Sequence, residues 1–278
     1  NTYTNLMARE NLRYAAATVQ LLRREQPERY AILVDQTRLQ EAESDAWHQA
    51  AEHMYIPFDA ELEIHPQDDD FLDKERWDFE QMSPDKYPLL LHYHPLVIYR
   101  SQVIKQVDVV MAMFLLGQEF SLPQKQRNFD YYDPLTTGDS SLSACVQSIM
   151  ASEIGYTETA MEYARYALLM DLGDIAGNVK DGCHVASIGG SWMVIVYGFA
   201  GMRDYGGRVS FQPRLPTTLQ RLRFPLTIRG QRLAVEITPE STTYLLEAGS
   251  ELVITHVGED IELTVGVPVS VTLQPSAG

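Results

Sequence analysis

The sequence has few of the features that mark secreted, membrane-spanning or nucleic-acid-binding proteins. It contains only two cysteines, Cys145 and Cys183, among 278 residues, which is too few for a disulfide framework. No apolar run approaches the roughly 18 residues that cross a bilayer, and no signal-peptide pattern begins the sequence. Asp and Glu outnumber Lys and Arg by 38 to 22, and the net charge of −16 disfavours nucleic acid and anionic lipid. We therefore expect a cytoplasmic protein with no nucleic-acid or membrane partner.

The sequence also lacks the common signatures of cofactor-dependent and nucleophilic enzymes. It contains no Gly-x-Ser-x-Gly elbow, Walker loop or dinucleotide fingerprint. The run 68–70 is three consecutive Asp residues, without the alternating ligand spacing and glycine of a calcium loop. His65, His92 and His94 do not complete a zinc-ligand set. We therefore predict neither a cofactor nor a metal site.

Apolar residues recur with helical spacing through the first 205 residues. Six stripes show this spacing: Leu12–Leu22, Ala42–Met54, Val103–Phe114, Leu142–Met150, Ala160–Leu168 and Ile188–Phe199. Two long polar segments separate them, at 57–102 and 117–140, and both are predicted to be loops. Long ordered loops commonly carry function, so this region is predicted to be helical but not a simple bundle.

The apolar period changes to that of a strand after about residue 206. Alternating apolar positions occur at 233–237, 261–265 and 269–273. Alternation of this kind is typical of a small antiparallel sheet, most often a sandwich. The chain is therefore predicted to be mostly α and multidomain, with a helical domain over 1–205 and a β-sandwich domain over 206–278.

Three turns are predicted within the strand-rich region. Arg229-Gly230-Gln231 predicts a hairpin between strands near 222–228 and 232–238. Further hairpins are predicted around Gly258 and around Gly266-Val267-Pro268.

The run from Lys180 to Trp192 combines a His, a Ser and two adjacent glycines just before an apolar helical stripe. Backbone N–H groups at a helix start, uncrowded at glycine, can bind a phosphate, and His184 can add a further donor. A tight glycine turn packed on a neighbouring helix explains the same pattern. Both interpretations stay open on the residues alone.

Two further stretches contain polar residues suited to binding sugars. Lys105 and Gln106, placed at the start of the third stripe, offer donors and an acceptor for sugar hydroxyls, although an ordinary solvated helix face fits equally. The segment 127–134 is rich in Tyr, Asp and Asn, which commonly build carbohydrate surfaces. The following 139–143 run, Asp-Ser-Ser-Leu-Ser, can bind an anion or cap the fourth helix through Asp139, Ser140 or Ser141.

Taken together, these motifs resemble glycoside hydrolase family 65. The matching stretches are residues 3–9 (YTNLMAR), 103–109 (VIKQVDV), 128–137 (NFDYYDPLTT), 139–143 (DSSLS) and 184–190 (HVASIGG). The resemblance implies part of an (α/α)6 barrel followed by a β-sandwich domain. It also implies that the general-acid Glu lies upstream of Asn1, in a missing N-terminal part of the same protein, so that this chain holds no catalytic acid.

The resemblance also implies roles for particular residues. Lys105 and Gln106 look like the pair that binds the glucosyl ring. His184, Ser187, Gly189 and Gly190 look like a phosphate site, with Ser141 and Ser143 as further contributors. Gly138 departs from the pattern, because many relatives carry His there.

The implied reaction is inverting phosphorolysis of an α-glucosyl disaccharide to a β-sugar 1-phosphate and a free sugar. Inorganic phosphate is the co-substrate, no other cofactor is implied, and a homodimer is expected. Three alternatives stay open: a hydrolase of the same disaccharides, a truncated sugar-binding protein without catalysis, and a helical scaffold with a β-domain for protein contacts. Turnover with and without phosphate separates the two enzymes.

Overall fold

Helices occupy most of the chain up to residue 199. The computed structural model describes residues 1–138, 140–175, 177 and 179–272. Its α-helices are α1 (Thr2–Glu25), α2 (Pro27–Thr37), α3 (Glu41–Glu52), α4 (Leu89–His92), α5 (Pro95–Ile98), α6 (Asp108–Leu115), α7 (Leu122–Tyr132), α8 (Ser143–Glu153), α9 (Thr157–Leu169) and α10 (Val185–Met193). A π-helical segment, Val194–Phe199, continues α10. Short 3-10 turns occupy Pro84–Lys86, Gly117–Glu119, Asp133–Leu135, Val179–Asp181 and Tyr205–Gly207. Within these described ranges, no helix is both long and apolar enough to span a bilayer.

Five of the six predicted stripes coincide with helices, and the third is only partly helical. Helices α1, α3, α8, α9 and the α10–π segment match the predictions. The helix of the third stripe is α6, which begins at Asp108. Lys105 and Gln106 therefore lie in a bend before α6 instead of on its first turn. Val103 and Val107 are nevertheless buried, which explains why they matched the stripe.

Four α-helices lie where the sequence predicted none: α2, α7 and the four-residue helices α4 and α5, which lie in the predicted loop 57–102. Helix α2 begins with Pro27, and α7 crosses the predicted loop 117–140. Proline suits the first turn of a helix, where its missing N–H costs nothing. Helix α7 has a capping box, in which Ser121 and Gln124 each bond the other's backbone N–H. These signals were present in the sequence, but the polar composition of α7 favoured a loop.

The strands after residue 209 form two main sheets, and two earlier strands form a short parallel pair. They are β1 (Glu75–Arg76), β2 (Ser101–Gln102), β3 (Ser210–Phe211), β4 (Leu222–Ile228), β5 (Gln231–Ile237), β6 (Ser241–Ala248), β7 (Glu251–His256), β8 (Glu259–Thr264) and β9 (Pro268–Thr272). One sheet has the order β4-β5-β6-β9 and is antiparallel throughout; the other has the order β3-β7-β8, with β3 parallel to β7. The expected antiparallel sandwich is therefore confirmed apart from that short parallel pairing.

Two of the three predicted hairpins form. Arg229 and Gly230 have φ of 50° and 80° and join β4 to β5, and Val257-Gly258 joins β7 to β8 in the same way. The third prediction is wrong: Gly266-Val267 leads from β8 in one sheet to β9 in the other. Leu273, expected in the last strand, lies outside the described residues, as does the rest of 273–278.

The helical region and the sheets each have a hydrophobic core. Every residue of α8 from Ser143 to Ser152 is buried, which places this helix at the centre of the helical core. The second core fills the space between the two sheets. Ile195 and Tyr197 of the π-helical segment pack against both cores, so this segment forms a boundary between the helical region and the sheets. The domain division at residue 205 stays a prediction.

A buried cluster of charged side chains joins α7, α8 and the segment after the π-helix near that boundary. Glu153, at the end of α8, accepts from Lys125 Nζ of α7 at 2.6 Å and from Arg203 Nη2 at 2.5 Å. The side chains of Lys125, Glu153 and Arg203 are 6%, 12% and 10% exposed. Burial on its own raises the pKa of Glu153, but the charges of Arg203 and Lys125 outweigh it and lower that pKa.

Candidate functional site

A cavity of about 690 Å³ lies beside the N-terminal end of α8. Five parts of the chain line it: the residues just before α4, the bend before α6, the segment leading into α8 with the first turns of that helix, one face of α9 with residues that follow it, and the residue before α10. The motifs 103–107 and 133–137 meet at its edge, because Ile104 N donates to Leu135 O and Thr137 N donates to Ile104 O, both at 3.0 Å. Tertiary pairing thus brings together stretches that are about thirty residues apart in sequence.

The cavity is lined by hydroxyl, amide and basic groups. Its polar side chains are those of Tyr87, Lys105, Thr137, Ser140, Ser141, Ser143, Gln147, Tyr163, Tyr166 and His184. None of the lining residues that the structure describes is Asp or Glu, although the whole chain has a net charge of −16. Asp139, the acidic neighbour of Ser140, lies outside the described residues. A wall with hydroxyl donors, an ammonium and an imidazole is suited to an anion or to a sugar.

Lys105 lines the cavity, and Gln106 supports its wall. Both are exposed residues of the bend before α6. Gln106 Nε2 donates to Ser140 Oγ at 3.1 Å, and Ser143 Oγ contacts Lys105 O at 3.4 Å. The predicted pair is therefore beside the cavity, with only Lys105 presented directly to it.

The serines before α8 have roles different from the predicted caps. Leu142 is the N-cap residue, without a side-chain cap, and Ser143 is the first helical residue. Ser140 Oγ instead accepts from Leu142 N at 3.3 Å. Ser141 and Ser143 both line the cavity, as the phosphate prediction requires.

His184 is held by a carboxylate. Its ring Nδ1 lies 2.6 Å from Asp171 Oδ1, and its backbone N donates to Asp171 Oδ2 at 2.9 Å. The hydrogen bond with His184 lowers the pKa of Asp171, so this carboxylate is ionised near neutral pH. His184 itself lines the cavity.

The other three residues of the predicted phosphate motif do not line the cavity. Helix α10 begins at Val185, so Gly189 and Gly190 are interior helical residues whose N–H groups bond carbonyls four residues earlier. The expectation that the glycine pair opens the helix is therefore wrong. Gly190 instead packs on α8, where a Cβ would lie 2.7 Å from Cys145 Sγ. Ser187 is buried, and its Oγ has no hydrogen-bond partner among the described residues.

Several cavity residues were missed by the sequence reasoning. Gln147 Nε2 and Tyr163 Oη both donate to Asp133 Oδ1 at 2.8 Å, so a carboxylate behind the wall fixes two lining side chains. Burial raises the pKa of Asp133, although these two hydrogen bonds oppose the shift. Tyr163 and Gln147 sit among apolar residues of α9 and α8, and Asp171 is thirteen positions before His184. No local sequence pattern marks any of them.

Two of the three histidines considered for zinc have local bonding partners. His65 is buried, and its Nδ1 lies 2.7 Å from Pro57 O. His94 Nδ1 accepts from Leu96 N at the start of α5. Of the Asp run, Asp68 pairs with Lys74 Nζ at 3.2 Å. These contacts account for the three residues without a metal ion.

Comparison with known families identifies this combination of fold and site. Residues 1–193 match the glycosyl hydrolase family 65 central catalytic domain, and residues 202–263 match the family's C-terminal domain. The chain therefore belongs to glycosyl hydrolase family 65. The fold class expected from the motifs is thereby confirmed: part of an (α/α)6 barrel followed by a β-domain.

Several relatives of the chain are named as trehalose, maltose or kojibiose phosphorylases. The chain is 44% identical over 98% of its length to an alpha,alpha-trehalose phosphorylase of Geobacillus stearothermophilus, covering 36% of that protein. It is 33% identical over 91% of its length to a maltose phosphorylase of Bacillus subtilis, covering 32% of that protein. A solved structure from the human microbiome, assigned as a kojibiose phosphorylase, superposes with a TM-score of 0.86 at 29% identity, over 98% of this chain and 37% of that one. The chain spans about a third of the length of the curated relatives it matches.

Proposed function

We propose that this chain forms the phosphate-binding side of the active site in an inverting disaccharide phosphorylase. The enzyme would cleave an α-glucosyl disaccharide with inorganic phosphate and release a β-sugar 1-phosphate and a free sugar. The observation that carries this proposal is the cavity beside α8, which presents Lys105, His184 and several hydroxyls and, among its described residues, no carboxylate. The trehalose, maltose and kojibiose phosphorylases among the relatives support the same reaction class.

Charge gives the cavity its preference for an anion. The acidic chain repels phosphate at long range, so binding must depend on local donors. Lys105 supplies an ammonium, His184 an imidazole, and Ser141 and Ser143 supply hydroxyls. A carboxylate in the same wall would repel a phosphate dianion at short range, where screening is weak.

The lack of a carboxylate among the described lining residues of the cavity favours phosphorolysis over hydrolysis. An inverting hydrolase needs a carboxylate to activate water, whereas phosphate is already a nucleophilic oxyanion. In the proposed reaction, phosphate attacks the anomeric carbon from the face opposite the leaving sugar. The general acid, a Glu that the family resemblance places before Asn1, protonates the leaving oxygen. Lys105 would hold the glucosyl ring beside the attacking phosphate, with Gln106 keeping Ser140 in place.

Replacement of His184 tests the phosphate site directly. We expect His184→Ala to raise the KM for phosphate about ten- to a hundred-fold, because one hydrogen bond to a charged ligand is lost. The KM for the disaccharide should change little. Initial rates at varied phosphate and saturating disaccharide provide the measurement, and this and every later kinetic variant is made in the longer protein that includes the proposed Glu before Asn1.

A second histidine provides the matched control. His48 is exposed on α3 and does not line the cavity, and His48→Ala should leave both constants unchanged. Unaltered phosphate dependence in His184→Ala would contradict the assignment. Equal rates of sugar release with and without phosphate in the unmodified protein would instead indicate the hydrolase.

A further inference from the structure

Asp171 contacts His184 at two points, and the mechanism above does not use it. The residue follows the last turn of α9, and its carboxylate reaches across the α9–α10 connection to the residue that precedes α10. One oxygen lies 2.6 Å from the ring Nδ1 and the other 2.9 Å from the backbone N of His184. The two side chains are 14% and 23% exposed. Both the backbone and the ring of His184 are thus fixed by one side chain.

The chemistry of the contact decides which ring nitrogen meets a ligand. An ionised carboxylate can only accept hydrogen bonds, so the proton on Nδ1 must be donated to Asp171. Nε2 is then the nitrogen left for the cavity. It accepts the P–O–H hydrogen of phosphate when the ring is neutral, and donates to a phosphate oxygen when the ring is protonated. Either form makes a hydrogen bond with phosphate, whereas a ring turned over would present Nδ1 instead.

We propose that Asp171 is a positioning residue of the phosphate site, which holds the His184 ring so that Nε2 meets phosphate. This proposal rests on the proposed function. Asp171 touches neither phosphate nor sugar in this arrangement and acts only through His184. Asp171 also stabilises α10, because a carboxylate near a helix N-terminus interacts favourably with the helix dipole. The experiment must therefore separate the two effects.

Asp171→Asn separates them, because an amide has only one accepting oxygen. With that oxygen on the backbone N–H of His184, the NH2 group faces Nδ1 and forces the proton onto Nε2. We expect 15N–1H NMR of the His184 ring, at a pH where the ring is neutral, to show the Nδ1–H tautomer in the unmodified protein and the Nε2–H tautomer in the variant. Loss of the His184 signals in a His184→Gln sample assigns them.

Asp181→Asn is the matched control. Asp181 is exposed, lies in the same connection, and makes no hydrogen bond to His184 in the described part of the chain. It loses the same charge three residues from His184. The control should keep the Nδ1–H tautomer and the phosphate KM of the unmodified protein.

Kinetics then link the tautomer to phosphate. We expect Asp171→Asn to raise the KM for phosphate about tenfold or more, while the KM for the disaccharide stays within about twofold. In a His184→Ala background, the same change should have no further effect on the phosphate KM, because Asp171 would have nothing left to position.

Each contrary result has one meaning. Retention of the Nδ1–H tautomer and of the phosphate KM in Asp171→Asn would overturn the proposal. So would an undiminished KM effect in the His184→Ala background, which would assign Asp171 to helix stability alone. Turnover that is independent of phosphate in the unmodified protein would overturn the proposed function itself, and the tautomer measurement distinguishes that failure from the others.

Discussion

Gly190 lies where α10 comes nearest to α8, and its missing side chain allows the contact. A Cβ at this position would lie 2.7 Å from Cys145 Sγ and 2.9 Å from Cys145 Cβ, both closer than packed atoms approach. We expect Gly190→Ala to lower the free energy of unfolding by about 1–3 kcal/mol through overpacking. Urea denaturation followed by circular dichroism measures the change.

The neighbouring glycine provides the control for that substitution. Gly189 is also in the interior of α10, but nothing lies within 4 Å of its would-be Cβ. Gly189→Ala should therefore raise the free energy of unfolding by up to about 1 kcal/mol through helix propensity. Cys145→Ala should relieve part of the Gly190→Ala defect, since it removes the Sγ atom. Equal effects of the two alanines would show that packing on Cys145 is not the cause.

Individual residues mark the limit of sequence reasoning on this site. The sequence predicted that His184 belongs to a functional motif, and the structure places it at the cavity. The Gly-Gly pair beside it was explained equally by a phosphate-binding turn and by helix packing, and Gly190 has the packing role. Asp171 could not be predicted, because its relation to His184 arises only when the connection between α9 and α10 folds back.

At the scale of elements, Glu153 connects α8, α7 and the segment after the π-helix. Its two oxygens are shared between Lys125 and Arg203, all three side chains being nearly buried. Glu153→Gln leaves two cations buried without their anion. We expect a loss of about 3–5 kcal/mol in the free energy of unfolding at pH 7. Glu236→Gln, which removes an exposed partner of Arg221 on the sheet, should cost less than about 1 kcal/mol.

The same cluster gives a prediction for acid pH. The pKa of Glu153 is lowered in the folded protein, so its stabilisation is present at neutral pH and is lost as pH falls through the folded pKa. The stability difference between the unmodified protein and Glu153→Gln should therefore be largest at pH 7 and shrink below about pH 4, the ordinary range of a Glu pKa. Urea titrations at a series of pH values measure it. A difference that stays constant down to pH 3 would contradict the assignment of the charge effect to Glu153.

Elements with an amphipathic stripe were predicted well, and polar elements were not. Helices α1 and α9 follow their stripes because burial of one face fixes them. Helix α8 is buried on all sides, and α3 is helical although Ala42, Ala46 and Ala50 of its predicted stripe are exposed. Helix α7 contains Lys125, Gln126, Arg127 and Asn128 and was taken for a loop, although Asn128 and Lys125 are buried through bonds to distant partners. The late start of α6 has a similar cause: residues 103–107 are held by backbone pairing with 135–137, which periodicity cannot detect.

At the scale of the whole molecule, the order of helical region and sheets could be predicted, but the cavity could not. Its wall combines residues from 87 to 184, so only the tertiary fold shows that the described lining lacks a carboxylate. In a chain of net charge −16, that local lack of acidic groups is the feature on which the proposed phosphate site depends.

The most direct test of this account is the fate of phosphate during disaccharide cleavage. A longer protein that includes the segment before Asn1, with the proposed general-acid Glu, is incubated separately with trehalose, maltose and kojibiose, with and without inorganic phosphate, and products are identified by 31P and 1H NMR. The account predicts that one of these sugars gives a β-sugar 1-phosphate and free sugar only when phosphate is present. Release of free sugar at the same rate without phosphate, with no sugar phosphate formed, would contradict it.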